Sequence, residues 1–223
     1  MSAADLGPYL APAAFIDSDA QGVAAFAREV VGAETDDLAR AVALYYAVRD
    51  GIVYTPYLDW RASESYRASA CLARGEGFCV GKAALLAAAA RSLGVPARVG
   101  FADVRNHLCT PRLRAWMGSD VFYYHGYAEL HLRGRWRKAT PAFDRALCER
   151  FGVLALEFDG KRDSLFQPFD RAGRRHMEYL RDRGPFADVP FHHIVRTFEA
   201  AYPSLGESRA APPTAFRDEA RAS

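Results

Sequence analysis

Residues 75–101 constrain this chain of 223 residues more than any other stretch, and they read GEGFCVGKAALLAAAARSLGVPARVGF. The pattern predicts a glycine-rich turn, an apolar helix from Cys79 to about Leu93 that Gly94 stops, and then a buried strand. The first backbone N–H groups of a helix lack partners inside the helix, and the summed peptide dipoles make that end partly positive. A thiolate at Cys79 is stabilised there, so the sequence predicts a lowered thiol pKa and a cysteine nucleophile.

Composition narrows the class of protein. Half of the residues are hydrophobic and a quarter are charged, which is typical of a globular domain. A net charge of +2 gives no reason to expect a nucleic-acid or membrane partner. The N-terminal residues lack the pattern of a signal peptide, and the four cysteines form no CxxC pair, which argues against a zinc cluster or a disulfide framework. We therefore predict a cytoplasmic protein with one domain over residues 1–202 and a mobile tail over 203–223.

Periodicity along the chain predicts the order of elements. Two early helices are predicted, one over 18–31 capped by Asp17 or Ser18, and one from a cap at Thr35 to near Gly51. The later predicted segments are a strand over 97–104, a loop over 109–120, a hairpin of strands 121–132 and 135–143, a second hairpin over 153–166, and helical additions within 165–202 at 174–183 and 190–201. Helices come first and strands follow, which predicts an α+β fold with the nucleophile helix packed on an antiparallel sheet.

The candidate base is a histidine. A cysteine nucleophile needs a base that takes its proton, and the base needs a third group that fixes its orientation. Among six histidines, His125 stands in the middle of an aromatic, strand-like segment. Tyr54 is expected to line a pocket, and His107, beyond the first strand, offers a second polar edge to the site. Plainer alternatives remain open: an inert buried thiol at Cys79, a core tyrosine, and ordinary turn residues around His107.

Two segments of the chain resemble the transglutaminase-like superfamily. The first is GFCVGKAALLAAAARSLGVPARVGF, with Gly-x-Cys, a helix and a Pro-Ala-Arg ending. The second is YYHGYAELHLRGRWRKATPAFD, with His, Glu, Gly-x-Trp and Asp in that order. The resemblance covers residues 40–145, and two segments in the right order make it fairly specific. It implies a papain-like α+β core with a Cys-His-Asp triad.

The resemblance assigns roles to individual residues. Cys79 matches the family's nucleophile and His125 its base. The family's Asp usually lies four residues after the tryptophan, where this chain has Thr140, and Asp144 follows four residues later. We favour Asp144, because a carboxylate both accepts the histidine N–H and stabilises imidazolium, and we keep Thr140 as the alternative. Tyr127 stands where the family has the aromatic residue of His-x-Trp, and it is expected to keep the aromatic role.

The resemblance implies a reaction at Cys79 with a peptide, protein or small amide substrate. The thiolate forms an acyl-enzyme thioester, and the N–H of Cys79 and a donor from the loop of Tyr54 are expected to hold the oxyanion. Hydrolysis of this thioester by water is the favoured second step. Transfer to an amine acceptor, as in transglutaminases, is the first alternative, and a binding module without catalysis is the second. The family includes calcium-dependent enzymes, but the sequence shows no acidic loop with calcium-site spacing, so we expect no metal and no cofactor.

Overall fold

The computed structural model describes residues 3–107, 109–166, 172–174, 176–202 and 216–219. Its α-helices are α1 (Gln21–Val31), α2 (Asp37–Gly51), α3 (Ala68–Arg74), α4 (Cys79–Ser92), α5 (Pro111–Met117), α6 (Arg145–Phe151), α7 (Phe191–Ala201) and α8 (Phe216–Glu219). Its strands are β1 (Val53–Tyr54), β2 (Glu76–Gly77), β3 (Ala97–Asn106), β4 (Val121–Leu132), β5 (Arg135–Ala139) and β6 (Met177–Phe186). Short 3₁₀ helices cover Ala3–Tyr9 and Ser63–Ser65.

A four-stranded antiparallel sheet forms one layer of the fold. Its strand order is β5-β4-β3-β6, and β1 and β2 form a separate parallel pair. The long strands β3 and β4 pair from Ala97↔Leu130 to Arg105↔Val121, with a register shift between Ala102 and Val104. The sheet and the helix packed on it confirm the α+β prediction.

Helix α4 is the centre of the core. Its residues from Cys79 to Arg91 are all buried, and the small alanine side chains let α1, α2, α3 and the sheet approach it closely. The helix also buries a charge: Lys82 is 0% exposed, and its Nζ donates to the carbonyl oxygens of Arg49 (2.9 Å) and Ile52 (2.6 Å). These bonds fix the end of α2 against α4, because the buried ammonium needs those acceptors.

Several predicted local features are wrong. Asp36, and not Thr35, caps α2, since its side chain accepts the N–H of Ala39. Neither Asp17 nor Ser18 caps α1, which starts after Ala20 without a side-chain cap. The predicted loop over 109–120 contains α5, where the Thr110 hydroxyl caps the helix and proline occupies the first turn.

The C-terminal third departs most from the sequence prediction. Residues 177–186, which include most of the predicted helix over 174–183, form strand β6 at the sheet edge, while the predicted helix over 190–201 is confirmed as α7. Most of β6 is exposed or half-buried, so it lacks the apolar alternation by which strands are recognised. The predicted second hairpin over 153–166 is wrong too, because this stretch contributes only the isolated bridge between Ala139 and Ser164.

The predicted tail over 203–223 lies outside the described residues except for α8. That short helix packs on the domain: Phe216 is buried, and the buried carboxylate of Glu219 accepts hydrogen bonds from the hydroxyls of Tyr57 and Thr110, each 2.6 Å long. This part of the predicted tail is therefore a helix in contact with the domain, and the mobility of the tail stays a prediction. No helix within the described part of the chain is long and apolar enough to cross a membrane.

Candidate active site

Cys79 is the first residue of α4, preceded by Phe78 in extended conformation. Burial is the larger influence on the thiol and raises its pKa to about 11. The backbone N–H groups of Gly126, Val80 and Cys79 act in the opposite direction, because they favour the thiolate. The prediction of a lowered pKa is therefore wrong, since desolvation of a side chain only 8% exposed outweighs the helix terminus.

Strand β4 lies directly against the first turn of α4. A Cβ atom on Gly126 would lie 3.0 Å from the Val80 Cα atom and 3.2 Å from the Val80 nitrogen. This separation is tighter than ordinary van der Waals contact, so a side chain at this position would push the strand and α4 apart by a few tenths of an ångström. The contact places His125, the preceding residue of β4, next to the start of α4.

A β-bulge immediately before His125 sets the direction of this part of β4. Ala102 pairs with His125 and Val104 with Phe122, so two residues of β4 face Asp103 alone. Tyr124 has a φ of 52°, and its N–H donates to the Asp103 carboxylate at 3.1 Å. That buried carboxylate also pairs with Arg183 at 2.6 Å. Asp103 is thus the anchor of the bulge, a role the sequence did not reveal.

Cys79 and His125 line the same cavity. Tyr54 contributes to its wall, and aromatic or apolar side chains supply the remainder, among them Leu58, Trp60, Trp116, Met117, Phe198 and Tyr202. The α5 and α7 residues in this wall were missed because 109–120 was predicted as a loop and the helix predicted over 190–201 was not assigned to the site. The Thr110-Pro111 pair, a helix-capping residue followed by proline, was the signal that pointed to α5.

His125 is held as a neutral imidazole. It is 3% exposed, and burial first, then the nearby His176, lowers its pKa to about 4. Its Nε2 is buried without a hydrogen-bond partner among the described residues. At neutral pH Cys79 is therefore a thiol and His125 an uncharged imidazole.

Neither candidate for the third member of the triad bonds to this nitrogen. Asp144 caps α6 instead: its carboxylate accepts the N–H of Leu147 at 2.8 Å. Thr140 is 1% exposed, and its hydroxyl is also buried without a partner within the described residues. The cap assigns the Asp144 carboxylate a structural role, and the choice of an orienting group for His125 stays a prediction.

Of the remaining predicted site residues, Tyr54 lies in the cavity wall, and Tyr127 and His107 lie elsewhere. Tyr54 lies in the cavity wall; burial first, then the charge of Cys79, raises its pKa well above the usual range. The ring of Tyr127 covers Gly100, where an added Cβ would clash with it, and Lys138 Nζ lies 4.9 Å from the ring centroid. The Nε2 of His107 lies 3.1 Å from the Glu178 carboxylate. Neither Tyr127 nor His107 belongs to the cavity lining.

Comparison with known proteins bears on the family. No curated protein matches this chain. A candidate cysteine protease from Cytophaga hutchinsonii shares 18% identity over 63% of this chain and 43% of its own, with a TM-score of 0.48. A candidate protease from Parabacteroides distasonis shares 15% identity over 61% of this chain and 25% of its own, with a TM-score of 0.39. The chain thus spans less than half the length of either structure. Residues 24–141, more than half of the chain, match the profile of the transglutaminase-like superfamily, and the chain belongs to that superfamily.

Proposed function

We propose that this protein is a cysteine enzyme that cleaves an amide or peptide bond through an acyl-enzyme thioester at Cys79. The observation that supports the proposal is that Cys79, at the start of α4, and His125, on β4, line one cavity. Backbone N–H groups near the sulfur supply donors at the point where an oxyanion forms.

The neutral resting pair sets the order of proton transfers in the proposed reaction. Burial disfavours both thiolate and imidazolium, so the thiol proton moves to His125 as the sulfur attacks the carbonyl carbon. The new C–S bond forms while the carbonyl π electrons move to oxygen. Imidazolium then gives its proton to the leaving nitrogen, the C–N bond breaks, and a thioester remains. Water, deprotonated by His125, releases the acid and restores the thiol.

Donors for the oxyanion come from two sides of the sulfur. The N–H groups of Cys79 and Gly126 belong to α4 and β4, and the close contact at Gly126 holds the two elements together. The hydroxyl of Tyr54, in the same cavity wall, is the proposed further donor. Such donors act strongly here because the buried site has little water to compete with them.

The proposed partners are a peptide, protein or small amide substrate and, for the transfer reaction, an amine acceptor. The first experiment mixes the protein with a panel of acyl anilides and short peptides, stops the reaction in acid and measures the intact mass. We expect acyl adducts on Cys79 in the parent protein and in Cys109→Ala, which removes a cysteine outside this cavity. We expect none in Cys79→Ala.

Product analysis with and without an added amine then separates hydrolysis from acyl transfer. Free acid as the main product in the presence of amine supports hydrolysis, and an amide of the added amine supports the transferase. If no acyl donor modifies Cys79 although the protein is folded, the proposed enzyme activity is wrong and the binding module becomes the better hypothesis.

A further inference from the structure

The cavity beside Cys79 has no charged side chain among the described residues that line it. Among the described residues that line it, none is Asp, Glu, Lys or Arg, and the one basic ring is that of His125. The polar tip of Tyr202 is already used: its hydroxyl donates to the Val121 carbonyl at 2.8 Å and accepts the Tyr123 N–H at 2.8 Å. A charged substituent that entered would lose its hydration without gaining a partner of opposite charge.

The cavity is also small. It offers about 60 Å³ to the centres of water-sized molecules. One water needs roughly 10–15 Å³ by the same measure, so the space suits a group of a few carbon atoms.

Ring-on-ring contacts hold that wall in place. Trp116 meets Tyr57 edge to face with centroids 5.1 Å apart, and Trp60 meets Phe198 at 5.9 Å. Phe198 also contacts Tyr202 at 5.2 Å. Because each ring is backed by another, the shape of the cavity is set before a substrate arrives.

We infer that the group next to the carbonyl attacked by Cys79 is a short, uncharged, apolar chain, and that Leu58 and Trp116 set its length. This inference rests on the proposed acyl-enzyme reaction and names its substrate class. Burial of each additional methylene favours binding until the chain reaches the wall, after which the next methylene is rejected.

The test compares acyl p-nitroanilides by their kcat/KM values for acylation of Cys79. We expect kcat/KM for the butyryl compound to be about tenfold higher than for the acetyl compound. It should also be at least about tenfold higher than for the hexanoyl compound. The 3-aminopropionyl compound has the shape of butyryl with an ammonium at its end, and we expect its value to be roughly a hundredfold lower. Equal values for butyryl and 3-aminopropionyl would overturn the inference.

Two substitutions change the size of the cavity in opposite directions. Trp116→Leu enlarges the cavity, and we expect the hexanoyl value to rise to within about threefold of butyryl. Leu58→Trp fills the cavity, and we expect acetyl to become the best substrate. Trp136→Leu is the matched control, because Trp136 packs on Tyr9 and Arg98 away from this cavity and its loss should leave the chain-length order unchanged. An unaltered order in both cavity variants would contradict the assigned roles.

A second experiment measures the charge preference of the cavity without catalytic turnover. Iodoacetamide and iodoacetate have similar size but differ in charge, and glutathione gives the ratio of their rates for an open thiol. We expect the ratio of the iodoacetamide rate to the iodoacetate rate to be at least about tenfold higher for Cys79 than for glutathione. Selective alkylation without any acylation would defeat the proposed reaction and leave the cavity's preference standing, whereas acylation by charged and neutral donors alike would defeat only the inference about substrate class.

Discussion

Acidification tests whether His125 is held as a neutral imidazole. Its pKa falls from 6.5 to about 4 in the folded protein, chiefly through burial. As the pH drops, the unfolded chain therefore takes up this proton near 6.5 and the folded chain only near 4. The unfolded state binds more protons within that window, so stability is lost there as the pH falls. Between about pH 7 and about pH 4.5, the loss from this group is about 2 kcal/mol.

Urea unfolding at the two pH values measures this loss. His125→Gln lacks the titrating ring, so we expect its free energy of unfolding to fall by about 2 kcal/mol less than that of the parent. For a chain of this size, the same quantity corresponds to about 4–8 °C in Tm. His192→Gln is the control, because this exposed histidine on α7 should leave the pH dependence of the parent unchanged. Equal losses in the parent and in His125→Gln would refute the account of His125 as a buried neutral base.

Three further predictions concern the nucleophile helix. In Gly126→Ala the new methyl group meets Val80, so we expect a stability loss of about 1–3 kcal/mol and at least about tenfold slower acylation, while Gly22→Ala, in open space on α1, should cause no loss of stability and leave acylation unchanged. Lys82→Met leaves two buried carbonyl oxygens without their donor, so urea unfolding should show a loss of about 2 kcal/mol, and a loss below about 0.5 would contradict that role. Alkylation of Cys79 by iodoacetamide should accelerate about tenfold per pH unit up to about pH 10, because its thiolate forms only near pH 11. A plateau near pH 7 would instead indicate a thiolate–imidazolium pair.

The sequence predicted the fold correctly where the local residue pattern and the packing favour the same structure. The helix from Cys79 ends near Gly94 as expected, because glycine and the following proline leave no other continuation. The hairpin through Gly134 formed because alternation in β4 and β5 matches a two-sided sheet. The superfamily, too, was identified from these segments, since the matched residues 24–141 contain the first segment and the second up to Pro141.

The features that the sequence did not predict depend on contacts between elements that are distant in the chain. Strand β6 is an edge strand whose sequence shows little apolar alternation, and its pairing with β3 overrides that weak local pattern. The predicted low pKa of Cys79 considered the helix terminus alone, and only the packed structure reveals that the thiol is desolvated. The bulge at Asp103 was equally hidden, because a carboxylate in a strand has the same sequence signature whether it faces solvent or bonds to the next strand.

Burial of both members of the pair has a further consequence for how a reaction would begin. With the thiol pKa near 11 and the imidazole pKa near 4, the free protein holds almost no ion pair. An ion pair formed beside a carbonyl is different, because negative charge passes on to the oxyanion, where the N–H groups near the sulfur are already oriented. The same low-dielectric surroundings that disfavour thiolate in the empty cavity strengthen those hydrogen bonds once substrate fills it. On this reasoning substrate binding precedes thiol activation, so kcat/KM for acylation should keep a nearly constant value between the two pKa values, whereas the alkylation rate climbs across the same range.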